Sequence, residues 1–373
     1  MATSGNFVQL HNHTHYSLLD GASKIPDLVK RAKELNMPAV GITDHGNMHG
    51  AYEMWSTAVK EGVKPIIGIE AYVTPETARQ DQTRVSWDTN WNPDIDPQHR
   101  RRNPNDVSGG GLITHLTMWA ETDEGLVNLM KASTDANLEG RVMRYPRMDK
   151  EILAKYSKGI IASSGCPSGI IQTRLLLGQF DEALRAAGEL QDIFGRDNFY
   201  IEFMDHGLKI EKQVTDGLLD IAKKLNAPLL ATNDSHYVRA EDAGSQDAML
   251  CINSESTLDE PGRFKFDGTG YYLKLALTLL DVLDYMDKIP MVTAYKLSDG
   301  TTTTRFPMGE ALDTAQPVVE YLPGWHCDIT AARKWEDLPK EAQAYVEYLE
   351  KAVGCKITYI SVGAEREAYV HHV

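Results

Sequence analysis

Seven short apolar runs, near residues 7–10, 39–44, 65–72, 112–119, 159–164, 198–203 and 228–233, are mostly separated by stretches of helical periodicity. Between the first two, Ile25, Leu28, Val29, Ala32 and Leu35 form a 3.6-residue stripe that predicts a helix running to about Asn36. Further helices are expected from about Asp123 to Asn137 and over FDEALRAAGELQDIFG. Strands alternating with helices imply parallel pairing through helical crossovers, hence an open doubly wound sheet or a closed barrel. The expectation is an α/β fold with a closed barrel, in which the functional site lies at the carboxyl ends of the strands. Residues 75–110 break the rhythm with crowded Pro, Asn, Asp and Trp, the run Arg100, Arg101, Arg102 and three glycines, and read as an insertion loop.

Ligand-type side chains collect where the apolar runs end. The first run leads into His11, His13 and His15 and then Asp20; two residues apart on an extended segment, His11 and His13 project to one side. Later runs carry His45, Glu70, His115, Cys166, Asp234 and His236. One histidine at a strand end is ordinary, and a lone HxH is a weak signal. Nine groups spread over successive strand ends are a pattern. Imidazole, thiolate and carboxylate together suit zinc, with manganese or iron as alternatives, and a carboxylate such as Glu70 can bridge two ions. His15, Asp44 and His206 are expected around the ligands or at the substrate, with loop hydrogen bonding as the competing role.

The 38 basic against 53 acidic residues give a net charge of -15, which argues against holding nucleic acid mainly by phosphate neutralisation. Bound divalent cations would supply positive charge locally. Cys166, Cys251, Cys327 and Cys355 form no CxxC pair, so neither a zinc ribbon nor a disulfide framework is indicated. The first residues lack a basic stretch followed by an apolar core, and no apolar run approaches the roughly 18 residues of a membrane span. A soluble, cytoplasmic protein is expected.

The segments HNHTHYSLLDG, GITDHGNMHGAYEM, KPIIGIEAYV, HLTMWAETDEGLVNL, ASSGCPSG, EFMDHG and ATNDSHYV resemble the PHP (polymerase and histidinol phosphatase) domain of bacterial DNA polymerase III alpha subunits, in their actinobacterial form, from about Asn6 to Lys274. The resemblance implies a distorted seven-stranded, TIM-like β/α barrel with three divalent ions. By motif position, His11, His13, Glu70 and Asp234 would hold one ion, Glu70, His115 and Cys166 the second, and Asp20, His45 and His236 the third. It further implies metal-dependent phosphodiester hydrolysis, a 3′–5′ exonuclease proofreading DNA replication, with Glu70, Asp234 and His236 at the reacting phosphate of a DNA 3′ end and other replication proteins as partners. The alternatives are a metal-stabilised scaffold that catalyses nothing and a small phosphomonoester hydrolase.

The polymerase palm that would follow KFDGTGYYLK is expected to be missing. From about Leu275, LTLLDVLDYMDKIPMVTAYKLSDG, QPVVEYLPGWHCDIT and ITYISVGAERE resemble the C-terminal part of adenylosuccinate synthetase. Residues 275–373 thus form a second domain, a small α+β fragment with a hairpin across the SDG turn and a helix over 340–353. The likeness places a guanine nucleotide, if one binds, against Asp281, Ser361 and Gly363, with Leu279 where the synthetase carries a lysine. The synthetase's phosphate loop is expected to be missing too, so no catalysis is expected here. Two unrelated families meeting without a linker suggest a fusion, whether natural, engineered or a rearranged reading frame. The shortened tail is expected to leave apolar faces that find a partner or stay exposed, with aggregation as the risk.

Overall fold

The structure is a computed structural model that describes residues 8–88, 103, 105–266, 268, 270–274, 276–277, 280–283, 286–304, 314–353, 357, 359–363 and 369–372. The chain divides into two compact units, one built from Gln9–Lys33 and Ala39–Leu273, the other containing Glu34–Pro38 and Lys274–Val373.

The larger unit begins with an extended segment, residues 9–13, and helix α1 (Ile25–Glu34), whose Ile25, Leu28, Val29 and Ala32 are buried. Then follow β1 (Ala39–Ile42), α2 (Ala51–Glu61), β2 (Lys64–Val73), β3 (Thr114–Ala120) and α3 (Asp123–Glu139). A short hairpin, β4 (Arg141–Val142) and β5 (Tyr145–Met148), leads to α4 (Lys150–Tyr156), β6 (Ile160–Ser163), α5 (Ile170–Leu176), α6 (Phe180–Phe194), β7 (Phe199–Phe203), α7 (Lys209–Leu225), β8 (Leu229–Ala231) and α8 (Ala243–Ser254). The sheet runs in the order β1, β2, β3, β6, β7, β8. The 9–13 segment closes it. On one side Gly41 N–H donates to Gln9 O at 2.8 Å and Thr43 N–H to Asn12 O at 2.9 Å; on the other His13 N–H donates to Ser235 O at 2.7 Å and Ser235 N–H to His11 O at 3.1 Å. The fold is therefore the expected α/β barrel of seven extended elements.

Two expectations need correction. Pairing is not parallel throughout, because β3 runs antiparallel to both β2 and β6. The connection between β2 and β3, residues 74–113, contains no helix among its described residues. Arg147, fully buried, pins the described ends of this connection by donating to the carbonyls of Arg79, Asp81, Leu112 and Gly140. Arg100, Arg101 and Arg102 lie outside the described residues. As a result His115 sits near the amino end of its strand, not the carboxyl end, and only the reversal of β3 brings it to the same rim as the other candidates.

Strand alternation decides what faces where. Ile69, Ala71, Leu116, Met118, Ala162, Phe199 and Ile201 join the apolar layer under α3, α6 and α7. Their neighbours Glu70, Thr117, Ser163 and Glu202 point the other way, into the barrel, and are buried as well. The Trp119 indole fills part of that interior and donates to Leu10 O at 3.1 Å, tying β3 to the closing segment.

In the smaller unit, β9 (Ala276–Leu277) precedes a three-stranded sheet in which β10 (Lys288–Lys296) and β11 (Thr302–Thr303) form the hairpin expected at SDG and β12 (Gln316–Pro323) pairs on the other side of β10. A helix spans Lys340–Val353, and β13 (Tyr359–Ser361) pairs with β9 and β14 (Tyr369–His371). Of the expected apolar faces, one is covered within this part, while Val292, Val318 and Tyr321 stay exposed. Leu280, Ile289, Trp325, Ile329, Leu338, Val346, Ile360 and Val370 pack into a buried cluster of its own. Of the positions aligned with guanine binding, Leu279 and the side chain of Asp281 lie outside the described residues. Ser361 Oγ donates to Gly363 O at 3.2 Å.

Two stability tests follow. A Cβ on Gly41 would stand 2.4 Å from Leu10 O, backbone against backbone at the closing seam, so Gly41→Ala should destabilise the barrel by about 2–4 kcal/mol, read as a lower melting temperature. Beyond β2, Glu76 accepts from Arg174 and Arg185 at 2.7 Å and from Lys150 at 3.3 Å. Burial opposes its charge, but these cations outweigh burial and lower its pKa from 4.5 to about 2. A carboxylate depressed in the fold stabilises above its unfolded pKa and loses that contribution as pH falls. The Glu76→Gln deficit, about 1–2 kcal/mol at pH 7, should shrink through pH 4.5 and vanish near pH 2 in pH-resolved melting curves.

Candidate metal centre

Nine side chains converge inside the rim of the barrel. His11 and His13 project from the closing segment, and their Nε2 atoms stand 3.3 Å apart. Asp234 Oδ1 lies 3.3 Å from His11 Nε2 and 3.0 Å from His13 Nε2, while the Glu70 oxygens lie 3.4 and 3.6 Å from the same two nitrogens. Glu70 Oε2 also reaches His45 Nδ1 at 2.7 Å and His115 Nδ1 at 3.2 Å, and Cys166 Sγ stands 3.4 Å from His115 Nδ1. On the remaining side Asp20 Oδ2 lies 2.9 Å from His45 Nε2 and 3.7 Å from His236 Nε2. Three overlapping groups can each hold a cation: His11, His13 and Glu70; His45, Glu70 and His115; His13, His45 and His236.

Local structure aims these side chains. Asp234 has a left-handed backbone (φ 42°), uncommon for a residue with a Cβ, and the turn brings its carboxylate and the His236 ring to one place. His236 Nδ1 donates to the Asp234 carbonyl at 2.8 Å, leaving Nε2 directed at Asp20. His11 Nδ1 donates to Glu202 at 2.8 Å. His13 Nδ1 meets Ser17 Oγ at 3.1 Å, and that hydroxyl donates to Asp44 at 2.7 Å. In all three rings this bond occupies Nδ1 and leaves Nε2 facing inward, the atom whose lone pair a cation would take.

The electrostatics suit cations. Burial disfavours ionised Glu70, but the neighbouring His115 and His45 rings, and then His11, outweigh it and hold the carboxyl well below the usual range. Burial likewise opposes charge on Asp20 and Asp234, and the neighbouring imidazoles keep both ionised. Burial and the adjacent His45 and His236 rings lower the pKa of His13 to about 3, leaving it a neutral ligand. Burial is offset at His11, His45 and His236 by carboxylates, which raise all three. The Cys166 thiol is pushed well up by burial and then by Glu70 and Asp234, so it would lose its proton only to a metal. Both Glu70 oxygens, Asp20 Oδ1 and Asp234 Oδ1 are buried without a well-directed hydrogen-bond donor. Two inward lone pairs 3.3 Å apart beside such oxygens fit divalent cations.

Other candidates fall outside the cluster. Asp44 ties Thr14 and Ser17 through hydrogen bonds of 2.7–2.8 Å, and burial raises its pKa despite them. His15 lies beside Tyr16, ring centroids 4.4 Å apart and planes tilted by 35°, and its Nδ1 faces Ser23 O at 3.4 Å. His206 bonds Glu211 at 2.6 Å and Asn233 O at 3.0 Å and lines the cavity above the cluster. Sequence reasoning missed Glu202, which also accepts from Ser163 and from Thr232 at 2.5 Å; its signal is an acid at an inward-facing position of the apolar run FYIEF.

Residues 9–206 match the model of the PHP domain. The chain belongs to the PHP domain family. Over 289 residues it is 50% identical to a DNA polymerase III subunit alpha of Mycobacterium tuberculosis, covering 78% of this chain and 23% of that protein. A DNA polymerase III subunit alpha of Saccharopolyspora erythraea is 48% identical over 342 residues, 85% of this chain and 27% of the other. The chain thus spans about a quarter of the length of these relatives. Residues 268–370 match adenylosuccinate synthetase, and the fully ligated synthetase structure from Plasmodium falciparum aligns with 28% of this chain and 26% of its own at 27% identity and a TM-score of 0.26. Among the described residues no helix is long and apolar enough to cross a membrane.

The PHP domain offers a test that separates ligand from support. Glu202→Gln removes none of the nine candidate ligands yet loosens the His11 ring, so metal affinity should fall about 10–100-fold in a competitive chelator titration.

Proposed function

We propose that this chain is a metal-dependent phosphodiesterase that trims DNA from 3′ ends, with three divalent cations held by His11, His13, Glu70 and Asp234, by Glu70, His115 and Cys166, and by Asp20, His45 and His236. The single observation that carries the reading is the position of Glu70, whose buried oxygens face His11 and His13 on one side and His45 and His115 on the other. The donor set of imidazole, carboxylate and thiol favours zinc, with manganese or iron as alternatives. When bound, the cations would neutralise the phosphoryl oxygens and acidify water at the site.

The chain's own residues do the rest. Glu70 links the groups on both sides, Asp234 and His236 hold the opposite wall, and Glu202 and Ser17 fix the ring orientations of His11 and His13. The DNA polymerase relatives support a DNA end as substrate and replication proteins as partners. On this reading residues 1–274 form the hydrolytic domain, and 275–373 form a synthetase-like domain without catalysis.

Purified protein incubated with 5′-labelled single-stranded DNA and zinc or manganese should yield a ladder of 3′-shortened products, abolished by chelator and reduced at least about 100-fold by His13→Ala. Retention of full-length DNA under every metal tested overturns the activity. Faster turnover of a phosphomonoester than of the DNA would reassign the substrate.

A further inference from the structure

Asp234 presents its carboxylate to the cluster from a left-handed backbone, φ 42°, that a residue with a Cβ rarely adopts. Such a conformation persists only where the surroundings over-determine it. A peptide unit is planar, so the two planes that flank Asp234 set its φ and ψ between them. Each plane carries a carbonyl that can only accept a hydrogen bond, and each of these carbonyls meets an imidazole.

The plane after Asp234 is held from within the cluster. Its carbonyl accepts from His236 Nδ1 at 2.8 Å, and Ser235 N–H donates to His11 O at 3.1 Å. The plane before Asp234 is held from outside the cluster. There the Asn233 carbonyl accepts from His206 Nε2 at 3.0 Å, while His206 Nδ1 faces Glu211 Oε1 at 2.6 Å. Glu211 also accepts from the backbone N–H groups of His206 and Leu208 at 2.7 and 3.3 Å, which fixes the ring to the start of α7. The face of the ring lies on Tyr271, with centroids 4.0 Å apart and planes at 16°. The Asn233 side chain donates to Gly270 O at 2.9 Å and to Tyr272 O at 3.0 Å, so residue 233 is gripped at its carbonyl and at its amide group. Both side chains of the His206–Glu211 pair are buried. Burying such a pair is unfavourable unless its hydrogen bonds are made, and here they lead to the carbonyl of the residue before a ligand.

We infer that His206 is a positioning residue: by holding the Asn233 carbonyl it turns the Asp234 carboxylate toward His11 and His13, whose Nε2 atoms lie 3.3 and 3.0 Å from Asp234 Oδ1. The ring supplies no ligand atom, because both of its nitrogens are engaged. Released from this bond, the peptide between residues 233 and 234 relaxes toward negative φ and swings the carboxylate off the two histidines. The inference rests on Asp234 as a ligand of the proposed centre, and its test separates the two.

The test is a competitive chelator titration of zinc on the full-length chain, with His206→Gln and His206→Asn compared with the parent. A glutamine amide N–H reaches the place of Nε2, whereas an asparagine amide reaches only that of Nδ1. Both variants lose the same ring and the same stack on Tyr271, so a plain bracing role predicts equal losses. Positioning predicts that His206→Gln stays within about 3-fold of the parent's affinity while His206→Asn falls about 10–100-fold. In an Asp234→Asn background, which has already lost the charged ligand, His206→Asn should cost less than about 2-fold more. With cobalt(II) in place of zinc, the parent and His206→Gln should share one visible absorption spectrum, from which His206→Asn departs. Equal affinities of the two variants, the full His206→Asn loss in the Asp234→Asn background, or loss of the folded circular dichroism of metal-free His206→Asn overturns the inference alone. A parent chain that binds no zinc overturns the metal centre together with it.

Discussion

Everything about the barrel rim turns on a concentration of like groups that water would otherwise keep apart. Glu70, Asp20 and Asp234 are brought within hydrogen-bonding or ion-pair distance of His11, His13, His45, His115 and His236 in a buried space. Removing charges from water is expensive unless each meets an opposite charge. The neighbouring imidazoles offset part of the cost, the carboxylates raising the pKa of His11, His45 and His236 in turn. They do not satisfy the orphaned carboxylate oxygens, which fit cations in a way that a further proton cannot.

Holding such a cluster requires a frame that does not yield. The 9–13 segment is at once the last stave of the barrel and the carrier of two inward histidines, so closing the sheet and placing the ligands are one event. Gly41 lets that segment approach β1, and Trp119 anchors it from across the barrel. Outward-facing aliphatic residues of the same strands pack under α3, α6 and α7, which locks the strand faces and so the direction in which Glu70 and Glu202 point.

The carboxyl-terminal part stands on different physics. Its sheet and the helix Lys340–Val353 enclose an apolar cluster centred on Val346, Ile360 and Val370, so it needs no help from elsewhere to bury those side chains. The outer positions Val292 and Tyr321 remain exposed, an ordinary feature of an antiparallel sheet with one covered face.

By itself the sequence determined the alternation of strands and helices and the identity of the ligand-type residues, because both are written locally: short apolar runs, the helical stripes between them and the polar groups that end them. It also carried the hairpin at SDG and the stripe of α1. What only the tertiary structure decided was direction and distance. The reversal of β3 is a matter of long-range pairing that no local pattern encodes, and without it His115 would stand at the far end of the barrel from Glu70. Glu202 was legible only as an acid in an apolar strand; its hydrogen bond to His11 spans 191 positions of sequence. Spacing along a chain fixes which face a side chain occupies, whereas the company it keeps there is set by how the sheet closes.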